Sequence, residues 1–151
     1  MARAAKPPPI SETSEHLRIA HHLRRHGIAN DAVVFHLRGE RIGHKQRATA
    51  ARMGVLSKLP DWQVLADGRA GFIELKPRGW RARREKYGTY TTHEYQQLAM
   101  HERLRNAGAW VEICETLDEF LDVLAGHGVE VHAETIADTL IRRGAERAAA
   151  E

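Results

Sequence analysis

The stretch that most constrains the fold is Leu59 to Lys76, LPDWQVLADGRAGFIELK. Asp67-Gly68 lies between two short apolar runs. It is the dipeptide best suited to a two-residue type I′ hairpin, whose central residues both take positive φ. Counting outward from that turn sets a register: Ala66 opposite Arg69, Leu65 opposite Ala70, Val64 opposite Gly71, Gln63 opposite Phe72, Trp62 opposite Ile73 and Asp61 opposite Glu74. The last pair puts two carboxylates on one sheet face, about 4.5–5.5 Å apart at Cβ. Lys76 falls on the same face, because strand side chains alternate. Like charges opposed across a ladder destabilise it, and a bound divalent cation is the economical compensation.

The rest of the chain bounds what such a hairpin can belong to. At 151 residues with 42% hydrophobic content, there is enough for one domain with a real core, and no apolar run of membrane-spanning length. The single cysteine, Cys114, excludes an intrachain disulfide and a cysteine-rich zinc site and points to a reducing, cytoplasmic setting. The opening MARAAKPPPI lacks the apolar centre of a secretory signal and reads as a disordered basic and proline-stiffened arm, residues 1–10. Net charge is only +3, but positive charge concentrates between Arg78 and Lys86, which permits a polyanionic partner.

Taken in order, Ser11-Glu12-Thr13-Ser14-Glu15 is a helix start with hydroxyl caps and early acids, and the helix is expected to run to about His26 before Gly27. Glu15 shares its inward stripe with Ile19 and Leu23; the helix dipole alone accounts for an acid there. His22 and His26, four apart, lack a third ligand nearby and read as a solvated face. Ala32 to Leu37 is a strand, and Gln46 to Met53 a short helix preceded by a polar turn between Gly39 and Gly43. Lys45 and Arg47 make that segment basic. After the hairpin, Pro77 to Thr91 carries Arg78, Arg81, Arg83, Arg84 and Lys86 interleaved with Trp80, Tyr87 and Tyr90. It reads as a nucleic-acid-binding flap, with cations for phosphates and aromatics, Trp80 foremost, for bases. Thr91-x-x-Glu94 is a capping box for a helix ending near Ala107; Trp110 to Cys114 is a strand, Thr116 opens another helix, and Glu134 to Ala150 forms a last one. Trp62 and Trp110 are expected in the core, and Cys114 as a small buried hydrophobe. The order implies an α/β domain with a central mixed four-stranded sheet flanked by helices and an extra C-terminal helix.

Asp61 and Glu74 offer hard oxygen ligands suited to Mg²⁺ or Mn²⁺, and Lys76 lies within reach of the same phosphate. Pro60-Asp61, the hairpin, Glu74-Leu75-Lys76 and a following helix with Gln97 together resemble the PD-(D/E)XK nuclease superfamily, and within it the VRR-NUC domain, the virus-type replication-repair nuclease. The matching parts are Glu15, Gly54-Val55, Pro60-Asp61, Glu74-x-Lys76, Gln97, Ala107-Gly108 and Glu119, from about Ser11 to Leu124. A lone D…ExK arises often by chance; the ordered set is specific. The resemblance implies a restriction-endonuclease-like core at 11–126 with a helical extension at 127–151. It also implies Asp61, Glu74 and the Leu75 carbonyl as metal ligands, Glu15 as the helix acid that completes the set, Lys76 as the catalytic lysine and Gln97 as a positioning group. Leu59 and Gln63 depart from the family pattern, and the basic stretch after Lys76 is longer than its usual loop.

The expected activity is metal-dependent hydrolysis of DNA phosphodiesters, on branched DNA in viral or mobile-element replication, repair or recombination, by a homodimer joined through its C-terminal helix. The rival expectations are a catalytically inactive nucleic-acid-binding module and a structural partner in a phage replication or packaging complex.

Overall fold

The computed structural model describes residues 11–37 and 44–150, the side chains of His44 and Lys45 excepted. The N-terminal arm at 1–10, the turn between Gly39 and Gly43 and the Lys45 side chain therefore lie outside the described residues. Among the described residues six helices and four strands follow in the order α1 Glu12–His26, β1 Val33–His36, α2 His44–Arg52, β2 Trp62–Ala66, β3 Arg69–Leu75, α3 Trp80–Tyr87, α4 Thr92–Asn106, β4 Trp110–Cys114, α5 Leu117–Gly126 and α6 Ile136–Ala150. They make one mixed sheet in the order β1-β2-β3-β4, antiparallel at its first two junctions and parallel between β3 and β4.

The hairpin forms in the register counted from its turn, from Ala66 with Arg69 to Trp62 with Ile73. Asp67 and Gly68 both hold positive φ, 50° and 71°, as a type I′ turn requires. The ladder stops one pair short of expectation. The Asp61 carbonyl accepts from Leu37 N–H of the neighbouring strand, and its carboxylate, rather than its backbone, takes Leu75 N–H at 2.8 Å. Gly71 is fixed by close approach: an added Cβ would lie 1.9 Å from the Trp110 ring. That ring stacks in turn on His127, centroids 3.8 Å apart, so Trp110 is only partly buried, unlike Trp62.

Strand alternation divides the sheet into two faces. Trp62, Val64, Ile73, Leu75 and Cys114 point to one side and form the core with Ile19 of α1, Phe120 and Leu124 of α5, and Val129. Each large side chain buried there contributes about 1.5–3 kcal/mol. The other face carries Phe72, Glu74 and Val111 and is covered by α4, which buries Met100 and His101. β3 lies between paired neighbours and is buried from Gly71 to Leu75. An acid at position 74 is therefore forced inside. Where sequence suggested a flap, Trp80 to Tyr87 is a helix, α3, entered through left-handed Gly79 and ended by left-handed Gly88. Beyond α5 the chain is tied to the α1–β1 connection by Ala29 N–H to the Glu130 carbonyl and His132 N–H to the Gly27 carbonyl. α6 buries no residue, and its Ile136, Leu140 and Ile141 are exposed. Among the described residues no helix is long and apolar enough to cross a membrane.

Candidate active site

The buried face under α4 gathers four of the expected residues. β3 delivers Glu74, and Lys76 follows just past the strand end; both are buried. Gln97 arrives from the second turn of α4, whose start is fixed by the capping box of Thr91 and Glu94. Lys76 Nζ donates to Glu74 Oε1 at 2.7 Å and to Gln97 Oε1 at 2.6 Å, and Gln97 Nε2 donates to the same Glu74 oxygen at 2.6 Å. Gln96 is exposed and outside this triangle. Glu74 Oε2 is buried with no hydrogen-bond partner, and His101 Nε2 is 3.9 Å away, beyond bonding distance. Both His101 ring nitrogens are likewise buried and unpartnered.

Asp61 completes the group from the start of β2, held through Oδ2 by Leu75 N–H, so Leu75 lies between the two acids. Burial first, and then the negative charge of Glu74, push the Asp61 carboxyl up to about 7, against the pull of that N–H. Glu74 goes the other way. Burial opposes its ionisation, but the His101 ring and the Lys76 ammonium outweigh it and hold Glu74 below the usual carboxylate range. The acids thus divide: one ionised beside a lysine, the other kept partly protonated by burial first and then by its neighbour's charge. Environments that push two carboxyl groups apart in this way are characteristic of chemical sites.

The structure brings an α1 acid to this group, but a different one. Both Glu15 oxygens are engaged elsewhere: Oε1 by Arg18 at 2.9 Å and by Arg78 at 2.5 Å, Oε2 by Leu117 N–H at 3.3 Å. Glu15 is therefore not placed as a ligand of the group. Glu12, one turn earlier, feels the charges of Lys76 and Glu74, and burial, the larger influence, raises its pKa. His16 follows at i+4, with Nε2 3.9 Å from Asp61 Oδ2 and 4.0 Å from Glu12 Oε1. Burial, then His36, lower the His16 pKa to about 4. The 12/16 spacing was the available sequence signal; the Ile19–Leu23 stripe drew attention to Glu15 instead.

The basic segment is placed differently from expectation too. Trp80 is buried, its indole N–H on Glu94 Oε1 at 2.7 Å, so it is not an exposed stacking platform. Arg78 pairs with Glu15, Arg81 with Glu119 at 2.9 Å and with the Ile113 carbonyl, and Arg84 with Glu94 at 2.8 Å. The buried Glu115 carboxylate accepts from Gly79 and Arg81 N–H, placing an anion at the start of α3 as its dipole favours. Arg83 and Lys86 carry no ion pair among the described residues; Lys86 lies over Tyr87. A cavity of about 270 Å³ opens here, lined by Arg83, Arg84, Tyr87, Thr89, Tyr90 and Thr91. Arg47 is exposed on α2.

Compared with known proteins, the chain matches no protein-family model, no curated protein and no solved structure.

Proposed function

We propose that this chain is a divalent-cation-dependent nuclease of VRR-NUC type with a restriction-endonuclease-like core, hydrolysing DNA phosphodiester bonds. The observation that carries this reading is the Asp61–Glu74–Lys76–Gln97 group, in which buried Glu74 and Lys76 and half-buried Asp61 share one sheet face. The donor set fits Mg²⁺ or Mn²⁺: hard carboxylate oxygens, with Glu74 Oε2 buried and lacking the partner that such an atom needs. Asp61, Glu74 and the Leu75 carbonyl would hold the ion, with Glu12 rather than Glu15 as the acid from α1. The ion would polarise a phosphoryl oxygen and acidify a water. Lys76, anchored on Glu74 and Gln97, presents a charge to the oxygen that gains negative charge as the bond breaks. Gln97 keeps both partners in line. Arg83, Lys86 and the cavity beside Tyr87 and Tyr90 supply backbone contact on the neighbouring surface.

Cleavage of plasmid, duplex, flap and four-way-junction DNA with Mg²⁺ or Mn²⁺ tests this. Cutting is expected to favour branched substrates and to fall on the order of 100-fold or more in Glu74→Ala and Lys76→Ala. Variants that cut as well as the parent overturn the site. The exposed Ile136, Leu140 and Ile141 of α6 support a homodimer, and a monomer by light scattering overturns that part. The second reading, a non-catalytic nucleic-acid-binding module, draws on the closed Lys76–Glu74–Gln97 triangle, which is also what a satisfied structural ion pair looks like. Salt-dependent DNA binding without cleavage would select it.

A further inference from the structure

Beside the Asp61 carboxylate stands a histidine whose hydrogen is located by its neighbour. His16 Nδ1 is 3.0 Å from Trp62 Nε1. An indole nitrogen only donates, so Nδ1 accepts and can bear no hydrogen of its own. The ring is therefore neutral, with its hydrogen on Nε2. Nε2 is the atom that faces the site, 3.9 Å from Asp61 Oδ2 and 4.0 Å from Glu12 Oε1. The ring is braced edge-on by His36, centroids 4.8 Å apart.

The same contact disposes of an attractive alternative. His16, His36 and Asp61 each offer a ligand atom, all within 4.8 Å of one another, and two imidazoles with a carboxylate suit zinc or a similar ion. A metal on Nε2 would require the hydrogen on Nδ1, where the indole hydrogen already points, and Nδ1 itself is occupied. His16 is a donor in this arrangement, not a ligand.

Its target is defined by the backbone. Asp61 Oδ2 already accepts from Leu75 N–H, and no hydrogen bond reaches Oδ1 among the described residues. We propose that His16, held in its Nε2–H form by Trp62, is a positioning residue that closes onto Asp61 Oδ2, directly or through one water, and so presents Oδ1 to the divalent cation. A separation of 3.9 Å is one that a bridging water or a small ring rotation spans. Outer hydrogen bonds of this kind orient metal-ligating carboxylates and raise affinity without touching the ion. Trp62 and Asp61 are adjacent in the chain, so a single strand end supplies both termini of the indole–imidazole–carboxylate relay. The cation's role rests on the nuclease reading; the place of the hydrogen does not.

The test uses the whole chain and two readouts. Long-range proton–nitrogen NMR of the imidazoles should show His16 as the Nε2–H tautomer. Titration with Mn²⁺ alone should give about tenfold weaker binding in His16→Ala, the low end of outer-shell effects. His16→Gln, which keeps an N–H near the Nε2 position, should stay within about threefold of the parent. Trp62→Phe should mix the tautomers; Trp62 is in the core, so the two His16 variants decide the matter if that variant does not fold. An Nδ1–H pattern in the parent, or His16→Ala binding Mn²⁺ as tightly as the parent, overturns the proposal while leaving the nuclease reading intact. A parent chain that binds no Mn²⁺ overturns both.

Discussion

Two regions of this molecule are equally rich in charge, and the fold uses that charge in opposite ways. On α3 and its approach, Arg78, Arg81 and Arg84 each meet a glutamate from a different element, α1, α5 and α4, and Glu115 caps the helix start. Those acids and bases dock α3 onto the domain. Under α4, by contrast, charge does not balance. Asp61 and Glu74 sit close enough for one to raise the other's pKa, one Glu74 oxygen is left without a partner, and among the described residues Lys76 is the one cation paired with them in the way the arginines of α3 are paired. A buried carboxylate oxygen without a partner is costly, and the unpartnered Glu74 Oε2 is what the proposed cation would satisfy.

That contrast breaks or holds on the response to single substitutions. The largest effect is expected at Lys76. Lys76→Ala leaves Glu74 buried with Gln97 as its remaining donor and should lower stability by roughly 3–5 kcal/mol in urea unfolding at pH 8. Asp61→Asn should do the reverse. The folded-state pKa of Asp61, about 7, lies above the ordinary value of 3.8. The native chain therefore holds a proton that the unfolded chain has released, and its contribution to stability, full below pH 4, is lost as pH rises through 7. Removing the titration should flatten that fall and stabilise the variant at pH 8 by on the order of 3 kcal/mol. An Asp61 carboxyl that titrates near 3.8 in the folded chain, followed by NMR between pH 4 and 8, would show that neither burial nor Glu74 raises it.

The difference between the two regions also explains what the sequence made legible. The hairpin register followed from one Asp-Gly turn and strict alternation, and the capping box and Trp110–Cys114 from local signals that tertiary packing did not override. Asp61, Glu74 and Lys76 could be placed on one face by counting outward from the turn, whereas Gln97 entered only through the family resemblance, since α3 intervenes between it and the hairpin. α3 was missed because Arg78 to Lys86 carries almost no apolar stripe; one buried residue, Trp80, and four distant glutamates hold it. Charge pairing between residues 10 to 63 positions apart has no local signature. The same blindness applies to Glu15, whose oxygens are taken by Arg18, Arg78 and the Leu117 N–H, two of them far away in the sequence.

The smallest effects should separate the arginines of α3 from one another. Arg84 reaches Glu94, whose carboxyl burial would raise but which the Thr91 N–H, the Trp80 indole and Arg84 together bring down to about 2. Arg84→Gln should therefore cost about 1–2 kcal/mol, the range of a hydrogen bond to a charged group in a partly exposed setting. Arg83→Gln with Lys86→Gln should change stability by no more than about 0.5 kcal/mol, because neither side chain holds an acid. Their effect belongs to binding. Each cation that neutralises a phosphate steepens the salt dependence of DNA affinity by about 0.9 in the log–log slope, so the double variant should lose just under two. If Arg83 and Lys86 prove necessary for folding while Arg84 is dispensable, the division between docking and contact residues on α3 is wrong. If all three leave the salt slope unchanged, α3 is a structural helix alone and takes no part in the proposed DNA contact.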